Sequence, residues 1–303
     1  MPELPGPNPV IHRRRLRGEL RRAREAAGKS QRETADAMDW SLSKLIRIET
    51  GDVKIGTNDL RALLAYYGVT SDRIAELVEV ARAAREPARW SNYRSVASPE
   101  LLSYCSYESY AQVVRNFEPI LVPGLLQTEE YARVVIGRAR DQQLVDGLVD
   151  LRIERQELLV RNPIPDLHFI VDESVLKRTV GDKEVMRRQL IQMKELALLP
   201  NVHLRIVTFS QGIYTAMLLP YVILEFNSPE DEDVLYIESP TGEQIVREDA
   251  PAANGRKGGR NNPADYSMTG PADYLQAFWQ LEQIAHQEET QNLLDEALVR
   301  LSG

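Results

Sequence analysis

Between residues 31 and 51 the apolar or small positions Thr34, Ala35, Met38, Leu42, Leu45 and Ile48 recur at helical spacing, and the spacing breaks once, around Asp39 and Trp40. Two short helices joined by a tight bend satisfy that pattern. Ser30 and Glu33 form a capping box for a first helix over Gln31 to Met38. Ser41 caps a second, which runs to Thr50 and stops at Gly51. Ala35 falls where the helices cross, and its methyl group admits an approach that a larger side chain would block. Upstream, Leu16, Leu20, Ala23 and Ala27 mark one apolar helical face. Downstream, Leu60, Leu63, Leu64 and Tyr67 belong to a fourth helix capped near Thr57, and Ile74, Leu77 and Val78 to a fifth. The reading is an all-α domain over 11–86, preceded by a flexible N-terminus over 1–10.

Beyond a break at Glu86 to Trp90, where the helical pattern meets Pro87, the pattern becomes mixed. A helical stretch is expected around Leu101 to Val114, with Leu102, Tyr107, Tyr110, Ala111 and Val114 on its apolar side. An extended segment broken by Pro119 and Pro123 follows, then a helix capped by Thr128, then a long helix from about Gln142 to Arg161. Apolar runs at 167–171, 202–207, 220–226 and 234–237 read as strands, with a helix at 182–199 between the first two. Residues 251–264 are rich in Gly, Asn and basic residues and read as a mobile loop, before a final helix from about Pro271. Residues 87–303 are thus expected to form an α+β domain with a small sheet, serving sensing, partner binding or dimerisation.

Charge separates the two parts. Residues 1–94 hold 18 Lys and Arg against 13 Asp and Glu, whereas the rest holds 19 against 32, so a chain of net charge −8 carries a basic head. Seven arginines (Arg13, Arg14, Arg15, Arg17, Arg21, Arg22, Arg24) lie beside His12 within residues 12–24. A run of like charge is ordinarily a solvated face, but phosphate contacts need this local sign next to a two-helix motif.

Residues 31–51, QRETADAMDWSLSKLIRIETG, resemble the lambda and 434 phage repressors and the wider Xre-type helix-turn-helix regulators without a gap. The resemblance includes the opening Gln31, the small Ala35, the Ser41-Leu42-Ser43 start and the closing Ile48-Glu49-Thr50-Gly51. It implies a lambda-repressor-like fold and an ion pair between Arg24 and Glu49. The departure is Asp39, where the family usually carries Gly in a left-handed turn; Asp tolerates that conformation at some cost.

In such motifs the second helix lies in the major groove of double-stranded DNA and its N-terminal residues reach base edges. Ser41, Leu42, Ser43 and Arg47 are the expected base readers, with Arg47 able to grip guanine bidentately and Leu42 to pack on a thymine methyl. Gln31 and Lys44 are expected on backbone phosphates, which fix register without reading sequence. One domain covers a short half-site, so a homodimer on an inverted repeat is expected.

PILVPGLLQTEEYA, RIERQELL, VDESVLKRTVG with VMRRQL, and a strand ending in IVTF resemble the C-terminal domain that follows the Xre motif in many actinobacterial regulators of the WhiJ-like, antitoxin-like group. That resemblance implies a regulator with a sensing or partner-binding domain, often encoded beside a small BldB-like partner protein. The effector would be such a partner or a small molecule. The alternative is an enzyme domain of unknown activity fused to a DNA-targeting head.

Little in the sequence favours catalysis. The four histidines, His12, His168, His203 and His286, include no pair at metal-ligand spacing, and Cys105 is the single cysteine, so no metal, cofactor or disulfide is expected. No phosphate-binding glycine loop or nucleophile elbow is present. Asp172 and Glu173 end a predicted strand, where helix capping explains them as well as chemistry does. Tyr104, Tyr107, Tyr110, Tyr131, Tyr214 and Tyr221 suit pocket walls or ordinary packing. The absence of an apolar run of membrane length and of a signal-peptide pattern gives the expectation of a cytoplasmic protein without membrane contact.

Overall fold

A computed structural model describes residues 9–51, 53–86, 89–138, 141–214, 217–227, 232–239, 242–247, 268 and 270–302, and every structural statement below concerns these. They divide into two compact units, with the change between Ser91 and Asn92. The expected mobile loop at 251–264, residues 1–8 of the expected flexible N-terminus, and Pro87 and Ala88 at the expected boundary lie outside the described residues.

The first unit is helical: α1 (Pro9–Ala26), α2 (Gln31–Ala37), α3 (Leu42–Thr50), α4 (Thr57–Tyr66) and α5 (Ser71–Ala83). Their apolar stripes converge on a core of Leu16, Leu20, Ile48, Ile55, Leu60, Leu63, Leu64, Leu77 and Val78. Two details differ from expectation. Helix α1 begins at Pro9, because proline lacks only an N–H that the first turn leaves unbonded anyway. The α4 cap is Gly56, and Thr57 is the first helical residue without a side-chain capping bond.

The second unit is α+β. In chain order it contains α6 (Pro99–Glu108), β1 (Val113–Glu118), α7 (Glu129–Ile136), α8 (Gln142–Arg155), β2 (Asp166–Asp172), α9 (Ser174–Lys177), α10 (Lys183–Leu196), β3 (Val202–Val207), β4 (Tyr221–Glu225), β5 (Val234–Ser239), β6 (Gly242–Arg247), α11 (Pro271–Ile284) and α12 (Thr290–Ser302). The sheet is six-stranded in the order β3-β2-β1-β4-β5-β6. Strands β1, β2 and β3 run parallel, and β4, β5 and β6 continue antiparallel. On one face, Phe117, Ile170, Val207, Tyr221, Ile223 and Leu235 pack against Tyr274, Phe278 and Leu281 of α11 and Ala285 just after it.

Three expectations are corrected here. The helix expected to reach Val114 ends at Glu108, and Val113 to Glu118 form a strand hydrogen-bonded on both sides, where β-branched Val113 and Val114 suit a central position. The long helix expected to run to Arg161 ends at Arg155 and tightens into a 3₁₀ turn over Gln156–Val160. The single final helix is two, α11 and α12, parted where Ala285 turns extended and His286 makes a β-bridge with Ile206. No described helix is long and apolar enough to cross a membrane.

Candidate functional site

The bend between α2 and α3 is built from local bonds. The Ser30 side chain accepts from the Glu33 N–H, and the Glu33 carboxylate accepts in return from the Ser30 N–H at 2.8 Å, completing the capping box. Asp39 takes φ +54°, the left-handed conformation its position demands. Ser41 caps α3 by accepting from the Lys44 N–H at 3.2 Å. Gly51 ends α3 at φ +84°, and a Cβ there would collide with the Arg17 side chain. Arg17 lies over that end because its Nη1 donates to the Thr50 carbonyl, one of the acceptors left open by the helix terminus.

One side of α3 is locked into the unit. Leu45, Ile48 and Glu49 are buried, and the Glu49 carboxylate receives Arg24 Nε at 2.7 Å, Arg24 Nη2 at 3.3 Å and Gln31 Nε2 at 2.7 Å. Arg24 also donates Nη1 to the Lys29 carbonyl at 3.0 Å. The Glu49 hydrogen bonds hold the Arg24 guanidinium pKa above its usual value, against the opposing pull of burial.

The opposite side is open. Leu42, Ser43, Ile46 and Arg47 are all exposed, and among the described residues the Arg47 guanidinium has no hydrogen bond or ion pair. Ser41, Leu42, Ser43 and Arg47 therefore sit at the N-terminal end and outer face of α3. Lys44, beside them, sits 3.3 Å from the Asp59 carboxylate and 4.0 Å from the Trp40 ring centre. Ile46 belongs to the same exposed strip, on the side of the helical wheel away from Leu45 and Ile48. Part of the arginine run has structural partners: besides Arg17 and Arg24, Arg22 closes on Glu19 at 2.7 Å, where Arg73 of α5 joins it at 3.0 Å. Burial raises the Glu19 pKa, but these two guanidiniums outweigh it and hold the carboxyl below its usual range.

In the second unit several polar residues singled out from sequence are engaged in local hydrogen bonds. Asp172 accepts from the Ser174 N–H at 2.8 Å and the Tyr214 hydroxyl at 2.7 Å, and Glu173 accepts from the Phe209 N–H at 2.8 Å. Tyr104, Tyr107, Tyr131 and Tyr221 are buried in packing. The motif segment Gly124 to Gln127 is held by side-chain amides. Gln189 and Gln192 donate to the Leu126 carbonyl at 2.7 and 3.2 Å, Gln156 and Gln192 to the Gln127 carbonyl at 2.6 and 2.9 Å, and Gln127 itself to the Val122 carbonyl at 2.7 Å.

Close by, a cavity of about 170 Å³ is lined by Leu101, Ile136, Leu148, Arg138, Arg152, Arg155, Glu238 and Glu243, among others. Behind it, Arg155 pairs with buried Glu108 at 2.7 and 2.8 Å, Tyr104 donates to Glu108 at 2.5 Å, and the Tyr104 ring stacks on Tyr236. Burial lowers the Arg152 pKa and pushes the Glu118 carboxyl up to about 8. None of the six tyrosines suited to pocket walls or ordinary packing is among the residues lining this cavity. His168 and His203, far apart in sequence, come face to face across β2 and β3 with ring centres 4.6 Å apart.

The capped bend, the buried Arg24–Glu49 pair and the exposed outer strip of α3 define a helix-turn-helix protein. Comparison with family models agrees, as residues 15–77 match one described as a helix-turn-helix domain. Residues 101–256, just over half of the chain, match the model described as domain of unknown function (DUF5753), and the chain belongs to that family. No curated protein and no solved structure matches the chain.

Proposed function

We propose that this chain is a sequence-specific transcriptional regulator of the Xre type and the WhiJ-like, antitoxin-like group, binding an inverted repeat in double-stranded DNA as a homodimer. The observation that carries the reading is the strip Leu42, Ser43, Ile46 and Arg47, exposed on a helix whose other side is pinned by Glu49. Arg47 is the guanine reader, Leu42 and Ile46 meet thymine methyls, Ser41 and Ser43 donate to base or backbone, and Gln31 and Lys44 hold phosphates. Dimerisation supplies the second half-site. Exposed Phe209, Ile213 and Leu218 after β3 support an apolar contact surface in the second unit.

The second unit serves as the control element. Its cavity of about 170 Å³ is comparable to engineered cavities of roughly 150 Å³ that take one small ring. The arginines and glutamates lining it favour a polar occupant. A small BldB-like partner protein is the other effector carried by the group resemblance. The carboxylates of Asp172 and Glu173 are committed to backbone and side-chain donors, which supports regulation over an enzyme fused to a targeting head.

Genome-wide mapping of bound DNA, followed by titration of the purified chain on the best site at two salt concentrations with Arg47→Ala alongside, tests the reading. A palindromic site with binding weakened by about 1 to 3 kcal/mol in the variant supports it. Weak, salt-sensitive binding that ignores Arg47 would overturn the placement of the recognition helix.

A further inference from the structure

Asp166 and His168 stand two apart on β2, so their side chains share one face of the sheet. Parallel pairing places His203 of β3 directly opposite His168, and the three polar groups converge at the N-terminal ends of the two strands. Asp166 Oδ2 lies 3.0 Å from His168 Nε2, and Oδ1 lies 2.8 Å from His203 Nε2. One ligand atom from each of the three lies within 4.8 Å of the others. Asp166 is about half exposed, so coordination positions beyond these three open to water.

We propose that Asp166, His168 and His203 bind one divalent first-row transition ion of the zinc class. Two imidazoles and one carboxylate are a donor set suited to such ions, and three protein ligands leave room for water or an exogenous ligand. In the metal-free chain the carboxylate accepts from both rings, so each Nε2 carries the proton; on binding, each Nε2 lone pair goes to the metal and the ring proton resides on Nδ1. That proton would have a destination at His168, whose buried Nδ1 lies 3.5 Å from a Glu282 oxygen. Ligand histidines ordinarily direct their second nitrogen to a carboxylate in this way. Glu282 is anchored by Arg205 at 2.8 Å and approached by Arg115 at 3.8 Å, which fixes its position from the α11 side. A self-contained hydrogen-bond trio needs neither the open solvent side nor the carboxylate behind His168.

The site is independent of the DNA-binding reading. The test is zinc titration of the untagged chain, by competition with a chromophoric chelator and by thermal melting, for the wild type, Asp166→Asn, His203→Gln and the control His12→Ala, whose histidine belongs to the helical unit. Both site variants alter partly exposed side chains, and a far-ultraviolet circular dichroism spectrum matching the wild type certifies their fold. Expected are one zinc per chain, a raised melting temperature with zinc, affinity weakened at least about tenfold in both site variants, and no change in the control. Absence of stoichiometric binding, or equal binding by both site variants and wild type, would overturn the proposal and leave the trio as a hydrogen-bonded network.

Discussion

Arg24 and Glu49 meet as a two-pronged ion pair, with Nε and Nη2 at 2.7 and 3.3 Å from the two carboxylate oxygens, and join α1 to the end of α3. The carboxylate side chain is 2% exposed and the guanidinium side chain 12%. Removing one member strands the other where water hardly reaches. Glu49→Ala should therefore destabilise the helical unit by about 3 kcal/mol, with Arg24→Met close behind. Chemical denaturation followed by circular dichroism measures this, and an unchanged midpoint would contradict it. DNA affinity should fall in parallel, because the same pair sets the angle of α3.

Asp39 in the left-handed region pays a steric cost that glycine avoids. Asp39→Gly should stabilise the helical unit by about 0.5 to 1 kcal/mol, the relief of Cβ strain exceeding the added freedom of the unfolded chain. A rise of a few degrees in melting temperature with unchanged DNA specificity is the expected result; a fall would mean that the Asp39 side chain makes a compensating contact.

Burial pushes the Glu118 carboxyl up to about 8, well above the usual carboxylate range. Its native pKa is raised, so its contribution is fully present below about pH 4.5 and is lost as pH rises toward 8. Melting temperature measured from pH 5 to 8.5 should decline more steeply for the wild type than for Glu118→Gln. Parallel curves would show that Glu118 does not titrate in that window.

Arg155 and Glu108 have side chains 8% and 2% exposed. Glu108→Ala leaves a buried guanidinium near the half-buried Arg152 and should cost about 3 to 5 kcal/mol. A denaturation midpoint within experimental error of the wild type would place the worth of the pair elsewhere. Replacing both partners by apolar residues should restore part of the loss.

Cys105 is fully buried, and burial pushes its thiol up to about 12. A chromogenic disulfide reagent at pH 8 should find no reactive thiol in the native chain and one equivalent after unfolding in guanidinium. Rapid native labelling would reveal an opening of α6.

The helical unit was legible because its signals are local. Ser30, Glu33, Ser41 and Gly51 each act within a few residues of themselves, and the resemblance added Arg24 and Glu49. The second unit resisted where partners are distant. Val114 continues the apolar spacing of α6, and only pairing with β2 and β4 makes it a strand residue. Strand β6 reads GEQIVR, too polar to announce itself, and is specified by its neighbour β5. The break between α11 and α12 lacks a proline, and an isolated bridge to β3 marks it. Likewise His168 and His203 look unrelated until parallel register sets them opposite each other. The cavity, assembled from α6, α7, α8, β5 and β6, leaves no contiguous trace.

The amides around Gly124 to Gln127 carry no charge and do not titrate in water. The Leu126 and Gln127 carbonyls accept from neutral amides, whereas the Gln127 side chain accepts from the Arg152 guanidinium at 2.8 Å, and Arg152 also lines the cavity. An anionic occupant drawn to Arg152 would therefore pull on an ionic thread of an otherwise neutral clasp, reaching the segment without first breaking the bonds that hold its backbone.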